Sequence, residues 1–139
     1  MRAELVNPDV RFVAVPQFVT EENAAELIRG SDAVLDALDN IQARRTLARA
    51  CAEAGIPMIH GAICGWSAQA AVVKPGDDLI DRIYPEGTRL SSKTSLSFTP
   101  PFCAAMQVAL CTRLLAGRPV EAGRLTMADL LDMEMENIF

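Results

Sequence analysis

The apolar and polar positions of this chain switch repeatedly between a period of two and a period of three to four. Residues 10–15 (Val-Arg-Phe-Val-Ala-Val) follow an Asn7-Pro8-Asp9 turn signal, and the run is β-branched-rich and ends at Pro16, as a strand would. Thr20 is placed to cap a helix that reaches Ile28. Glu21 and Glu22 then lie in its first turn, where the macrodipole favours anions, and Gly30 lies just past its end. Residues 33–38 are nearly all apolar, the signature of a parallel strand covered on both faces, with their polar residues gathered at the carboxyl end. The spacing predicts a helix over 40–54: Ile41 and Ala48 are seven apart, Leu47, Cys51 and Ala54 repeat at three to four, and Gly55 and Pro57 stop it. Strands follow at 57–63 and 69–73, the second ended by Pro75-Gly76-Asp77, and 78–83 suits one short helical turn.

Periodicity then disappears over 84–101, which carries Pro85, Gly87, five serines and threonines between Thr88 and Ser95, and Pro100-Pro101. A loop of that length inside a compact domain is uncommon unless it serves a site. Residues 102–116 are apolar almost all round, which predicts a helix buried on more than one side and stopped by Gly117 and Pro119. Residues 124–128 and 131–139 predict an antiparallel hairpin. Its second strand sets Leu131, Met133, Met135 and Phe139 on one face against Asp132, Glu134 and Glu136 on the other. The strand–helix order predicts one α/β domain over 1–139: a mostly parallel sheet, a C-terminal antiparallel hairpin and helices on both faces.

Composition narrows the function. The 139 residues are enough for one core, and thirteen Lys+Arg against eighteen Asp+Glu give a net charge of −5, which argues against a nucleic-acid footprint or an anionic membrane surface. No apolar run approaches the roughly 18 residues of a membrane span, so the chain reads as cytoplasmic. Cys51, Cys64, Cys103 and Cys111 form no Cys-x-x-Cys pair and His60 is the single histidine, which leaves no zinc knuckle or redox motif by spacing.

Ligands in an open α/β sheet bind outside the carboxyl ends of the strands, which directs attention to Asp36-Ala37-Leu38-Asp39-Asn40. Asp39 is either a helix N-cap or a hard oxygen ligand for Mg²⁺ carried by a nucleotide, and the two roles are compatible. Arg44, Arg45 and Arg49 crowd the first half of the following helix, where cations oppose the macrodipole; a bound anion or a solvated basic face accounts for them. His60 is either a packed strand residue or a base, and Trp66 a rim residue or a ligand-facing aromatic.

Several strings, taken in order, carry a resemblance: Leu5-Val6-Asn7-Pro8-Asp9-Val10; Asp32 to Asn40; Arg44, Cys51, Pro57, His60-Gly61-Ala62 and Gln69; Met106-Gln107-Val108-Ala109 through Gly117; and Gly123 to Asp129. Across almost the whole chain the sequence resembles the HesA/MoeB/ThiF family, bacterial relatives of ubiquitin-activating enzymes. The resemblance implies a partial Rossmann-like sheet matching the C-terminal part of an adenylation domain. It implies ATP- and Mg²⁺-dependent adenylation of the C-terminal Gly-Gly carboxylate of a ubiquitin-like sulfur-carrier protein. Asp39 falls on the family's magnesium-facing aspartate, and Asn40 and Arg44 on neighbouring nucleotide-binding positions of that motif.

The family's Gly-rich nucleotide loop and phosphate-gripping residues belong upstream of Met1, so the isolated chain is expected to be inactive. The alternative is a non-catalytic module that binds a carrier or forms an oligomer. The family's zinc-binding Cys-x-x-Cys pairs are missing from the sequence, so zinc is expected to be absent. The loop that carries a reactive cysteine in several members corresponds to 88–95, which has no thiol. In the family's sheet two earlier strands separate the one placed at 10–15 from the one at 33–38. An exposed parallel edge or a cleft is therefore expected, so that the chain is either a fragment of a longer protein or pairs these strands directly or with another copy, as a homodimer using residues 102–116.

Overall fold

A computed structural model describes residues 2–89 and 94–138. Helix α1 (Arg2–Val6) and a short α2 (Ala24–Leu27) precede strand β1 (Val34–Asp36). Then follow α3 (Ile41–Ala54), the β2 (Met58–Cys64) and β3 (Ser67–Val73) hairpin, α4 (Leu79–Ile83), α5 (Thr99–Leu115), and the β4 (Leu125–Asp129) and β5 (Glu134–Asn137) hairpin. The strands form one sheet in sequence order, β1-β2-β3-β4-β5.

The expected α/β architecture is present, but the balance of strand directions differs from a mostly parallel sheet. Only β1 and β2 run parallel, and the three remaining pairs are antiparallel. The cause is local: Gly65, with φ of 56°, makes a tight turn after β2 and sends the chain straight back along it. A parallel return would need a crossover of a dozen residues or more.

Residues 10–15 are not a strand. They join no strand of the sheet, Val10, Phe12, Val13 and Val15 are exposed, and Phe18 is 91% exposed. β1 is the terminal strand of the sheet, with Leu35 half-exposed on it, in keeping with the expected edge. β branching supplied the propensity at 10–15, but a strand also needs a partner to satisfy its backbone. The helix expected from Thr20 starts only at Ala24. Asn23 spends its side chain on the loop instead, accepting from the Thr20 amide at 2.8 Å and donating to the Phe18 carbonyl at 2.8 Å.

Alternate residues of β2 and β3 serve opposite faces. On one face Met58, Ala71 and Val73 join Leu125 beneath Leu47, Ala50 and Cys51 of α3 and Leu79 and Ile80 of α4, which is the aliphatic core. The other face meets α5, and there the expectation of a helix buried on several sides fails. Only Thr99, Cys103 and Gln107 of α5 are buried, whereas Val108 and Leu115 are more than half exposed. The buried three recur every fourth residue, so they form one stripe, and each donates to a backbone carbonyl of the sheet or of its β2–β3 turn. Thr99 Oγ1 reaches Gly65 O at 2.8 Å, Cys103 Sγ reaches Ala62 O and Gln69 O at 3.6 and 3.5 Å, and Gln107 Nε2 reaches Asp36 O and Ile59 O at 2.7 and 3.0 Å.

Pro100 and Pro101, read as loop, lie in the first turn of α5, where a missing N–H costs nothing. Of the long loop, residues 90–93 lie outside the described residues, while Ser95 bridges to Gly65. The closing hairpin is present, but all of β5 is exposed, so the expected buried face does not form; Phe139, assigned to that face, lies outside the described residues. No helix among the described residues is long and apolar enough to cross a membrane.

The close approach of α5 depends on Gly61. A Cβ there would stand 2.3 to 2.6 Å from the Gln107 amide group. Gly61→Ala is expected to lower stability by about 1–3 kcal/mol, the usual cost of overpacking, and Gly61→Ala with Gln107→Ala to recover less than the full loss because two sheet carbonyls lose their donor. Urea denaturation of the two variants checks this.

Candidate functional site

The site grows from the end of β1. Parallel pairing puts Asp36 opposite His60, so two polar side chains from adjacent strands meet on one face, both with no solvent exposure. Buried charge needs a partner, and α3 supplies it. Asn40 caps that helix, its side chain accepting from the Ala43 amide at 2.8 Å. The cap is therefore Asn40, one residue later than the cap considered at Asp39. The helix then turns Arg44 back under the strand ends.

Arg44 Nη1 donates to Asp36 Oδ2 and to Gly61 O, each at 2.6 Å, and Nη2 donates to Leu38 O. Asp36 Oδ1 accepts from the Leu38 amide at 3.0 Å, and His60 Nδ1 lies 2.8 Å from Asp36 Oδ2. Both hydrogens of Nη1 are occupied, so the arrangement that satisfies every group has His60 Nδ1–H donating to Asp36. His60 Nε2 then accepts from Gln69 Nε2 at 3.1 Å, and the Tyr84 hydroxyl, 3.4 Å from His60 Nε2, accepts from Gln69 Nε2 at 3.3 Å. The Tyr84 ring stands edge-on to His60, with centroids 5.7 Å apart, and the Arg44 guanidinium lies over it at 5.9 Å.

Burial holds the His60 imidazole below its ordinary value, with Arg44 acting the same way and Asp36 opposing both. Burial pushes the Tyr84 phenol and the Cys103 thiol up, and the Cys51 thiol is pushed up to about 11. These thiols suit packing rather than nucleophilic attack.

Above this network opens a cleft of about 540 Å³ at the carboxyl ends of β1 and β2. Its volume is that of a small-molecule site. Leu38, Asp39 and Arg44 line one side, Gly61 to Ile63 the floor, and Thr94, Ser95, Pro100 and Cys103 the other side. Of the site residues expected from sequence, Asp39 is exposed on this cleft, Asn40 is the exposed cap, and Arg44 is buried beneath it with its donors turned to protein groups. The arginines do not form one cluster. Arg45 turns to Tyr84 O and Asp81, and Arg49 to Glu21 at 3.3 Å.

Asp36 lies in the strand-end string expected to meet a ligand but carried no role of its own there, and Gln69, Tyr84 and Gln107 were not expected at the site. The signals were present for Asp36 and Gln107: a carboxylate at the end of an apolar strand with an arginine eight residues on, and a glutamine interrupting an apolar helix.

The ThiF family model matches residues 1–138. The chain belongs to the ThiF family. It is 33% identical over 141 aligned residues to the SAMP-activating enzyme E1 of Haloferax volcanii, covering 96% of this chain and 52% of that protein. It is 30% identical over 125 residues to the sulfur carrier protein ThiS adenylyltransferase of Bacillus subtilis, covering 86% of this chain and 37% of that one. The ThiF-family chain thus spans about half the length of these relatives or less. Among structures, E. coli MccB superposes with a TM-score of 0.75 at 11% identity, covering 98% of this chain and 44% of MccB. PaaA superposes at 0.73 and 15%, covering 98% and 52%. These likenesses establish a shared Rossmann-like fold.

The neutral, buried His60 has a thermodynamic consequence. Its folded pKa lies below the unfolded value near 6.5, so the unfolded chain binds the extra proton. Its contribution to stability is complete above that value and is lost as pH falls below it, at up to about 1.4 kcal/mol per pH unit, until the folded pKa is reached. As the single histidine, it is expected to dominate the decline between pH 6.5 and 5, and His60→Gln is expected to flatten it. Urea denaturation across that range measures both slopes.

Proposed function

We propose that this chain forms the magnesium-facing side of an adenylation site that activates the C-terminal Gly-Gly carboxylate of a ubiquitin-like sulfur carrier with ATP. The observation that carries the reading is Asp39, a carboxylate on the rim of a nucleotide-sized cleft at the carboxyl end of β1. The names of the relatives, a SAMP-activating enzyme and a sulfur carrier adenylyltransferase, support the reaction class.

The donor set fits Mg²⁺ carried on a nucleotide. Among the described residues no three His, Cys, Asp or Glu side chains converge as an all-protein cage would require. Mg²⁺ is commonly held by one or two carboxylates with waters and phosphate oxygens, and Asp39 supplies that carboxylate. Bound Mg²⁺ would supply neutralisation of phosphate charge.

In the reaction a carboxylate oxygen of the carrier tail attacks the α-phosphorus, the bond to the β-phosphate oxygen breaks, and pyrophosphate leaves with that electron pair. No proton transfer is required, so the chain's task is positioning and charge. Asn40 fixes the start of α3 behind Asp39, and Arg44 braces both from below. The small floor residues, Gly61 and Ala62, leave the cleft open for a slender tail.

We assign the contact between copies of the chain to the outward side of α5, where Val108 and Leu115 are exposed. Light scattering is expected to give a dimer, and Val108→Glu a monomer; a wild-type monomer removes this assignment.

The reaction is tested by ATP–pyrophosphate exchange with a carrier ending in Gly-Gly, on the chain alone and with a Gly-rich nucleotide-binding half supplied in trans. Exchange is expected only in the second mixture, and Asp39→Ala is expected to lower it about 100-fold, the scale seen when one positioned electrostatic group is removed. Exchange indifferent to Asp39 refutes the site. Carrier binding without exchange in either mixture identifies a non-catalytic module instead.

A further inference from the structure

The ladder between β1 and β2 ends at Asp36↔His60, three residues short of Asp39, so sheet hydrogen bonding does not hold the segment that presents the carboxylate. Buried side chains hold it instead, through Leu38. The Leu38 amide donates to Asp36 Oδ1 at 3.0 Å, and the Leu38 carbonyl accepts from Arg44 Nη2. The two gripping side chains are joined to each other at 2.6 Å, and His60 fixes the shared Asp36 oxygen at 2.8 Å. From the opposite face, Gln107 holds the Asp36 carbonyl at 2.7 Å.

We propose that Asp36, Arg44 and His60 act as one buried positioning unit that aims Asp39 by gripping both backbone groups of Leu38. The geometry explains the residue types. The guanidinium fork serves three acceptors from two nitrogens, Nη1 for Asp36 and Gly61 O and Nη2 for Leu38 O, whereas a lysine at 44 would keep the charge and three donors but place them all on one nitrogen. A carboxylate at 36 is needed because one oxygen must accept the Leu38 amide while the other accepts from Arg44 and His60. His60 lacks any exposed surface, so it acts through Asp36 and not on a ligand.

The inference rests on the reading of Asp39 as the metal-facing carboxylate, and its test separates the two. Amide hydrogen exchange by NMR on the full chain reads the grip directly, with no nucleotide. Arg44→Lys is expected to raise exchange at Leu38 and Asp39 at least tenfold while the Leu47 to Cys51 amides of α3 keep their rates. Unchanged Leu38 exchange in a folded Arg44→Lys protein overturns the proposal.

Should that variant not fold, the wild-type imidazole decides. The ¹⁵N spectrum of His60 at pH 7 is expected to show the Nδ1–H tautomer, and the Nε2–H tautomer overturns the arrangement. For function, with the Gly-rich nucleotide-binding half supplied in trans, Arg44→Lys is expected to weaken Mg²⁺-ATP binding about tenfold in the wild-type background and not in Asp39→Ala. Equal weakening in both backgrounds shows that Arg44 does not work through Asp39. If Asp39→Ala itself leaves binding intact, the metal-facing reading fails while the exchange result stands on its own.

Discussion

A carboxylate shut away from water at the end of a sheet strand is the constraint around which this protein is organised. Asp36 is fully buried, and taking such a group out of water costs several kcal/mol unless its lone pairs are met. Arg44, His60 and the Leu38 amide meet them, and each comes from a different element or loop. Strand β1, strand β2, helix α3 and the segment leading to Asp39 are thereby tied at one point. Tyr84 closes the network from beyond α4, lying against both His60 and Arg44. The hydrophobic core beneath α3 would tolerate small shifts of these parts, but this cluster would not, since hydrogen bonds fall off steeply with distance and angle.

The parts of the molecule that were legible in the sequence are those whose signal is local. α3 carried its own periodicity, cap and glycine stop, and structure and expectation agree on it to within a residue. The short apolar runs became β1, β2 and β3 with small changes of boundary. What was not legible depended on partners. Residues 10–15 have strand propensity but no neighbour to pair with, and the parallel or antiparallel sense of β2 and β3 turned on one glycine conformation.

The same distinction holds at the site. The strand-end rule pointed to the end of the sheet where a cleft opens with Asp39 on its rim, because it depends on chain direction alone. It could not show that Arg44 faces inward, because that follows from the register that sets Asp36 beside His60. An arginine at the start of a helix suggests an anion in solution, and here the anion is part of the protein. Helix α5 misled for a related reason. Its apolar composition implied burial all round, yet its contact with the sheet is made by threonine, cysteine and glutamine, and much of the apolar surface faces outward.

That inverted helix sets a limit on how the two layers can move. Aliphatic packing lets a helix slide by a fraction of a turn and find new contacts, but a donor aimed at one carbonyl has a single seat. A slip of one residue, about 1.5 Å along the axis, would strand all three side chains of the stripe at once. The stripe therefore fixes the register of α5 against the strand ends that carry the site.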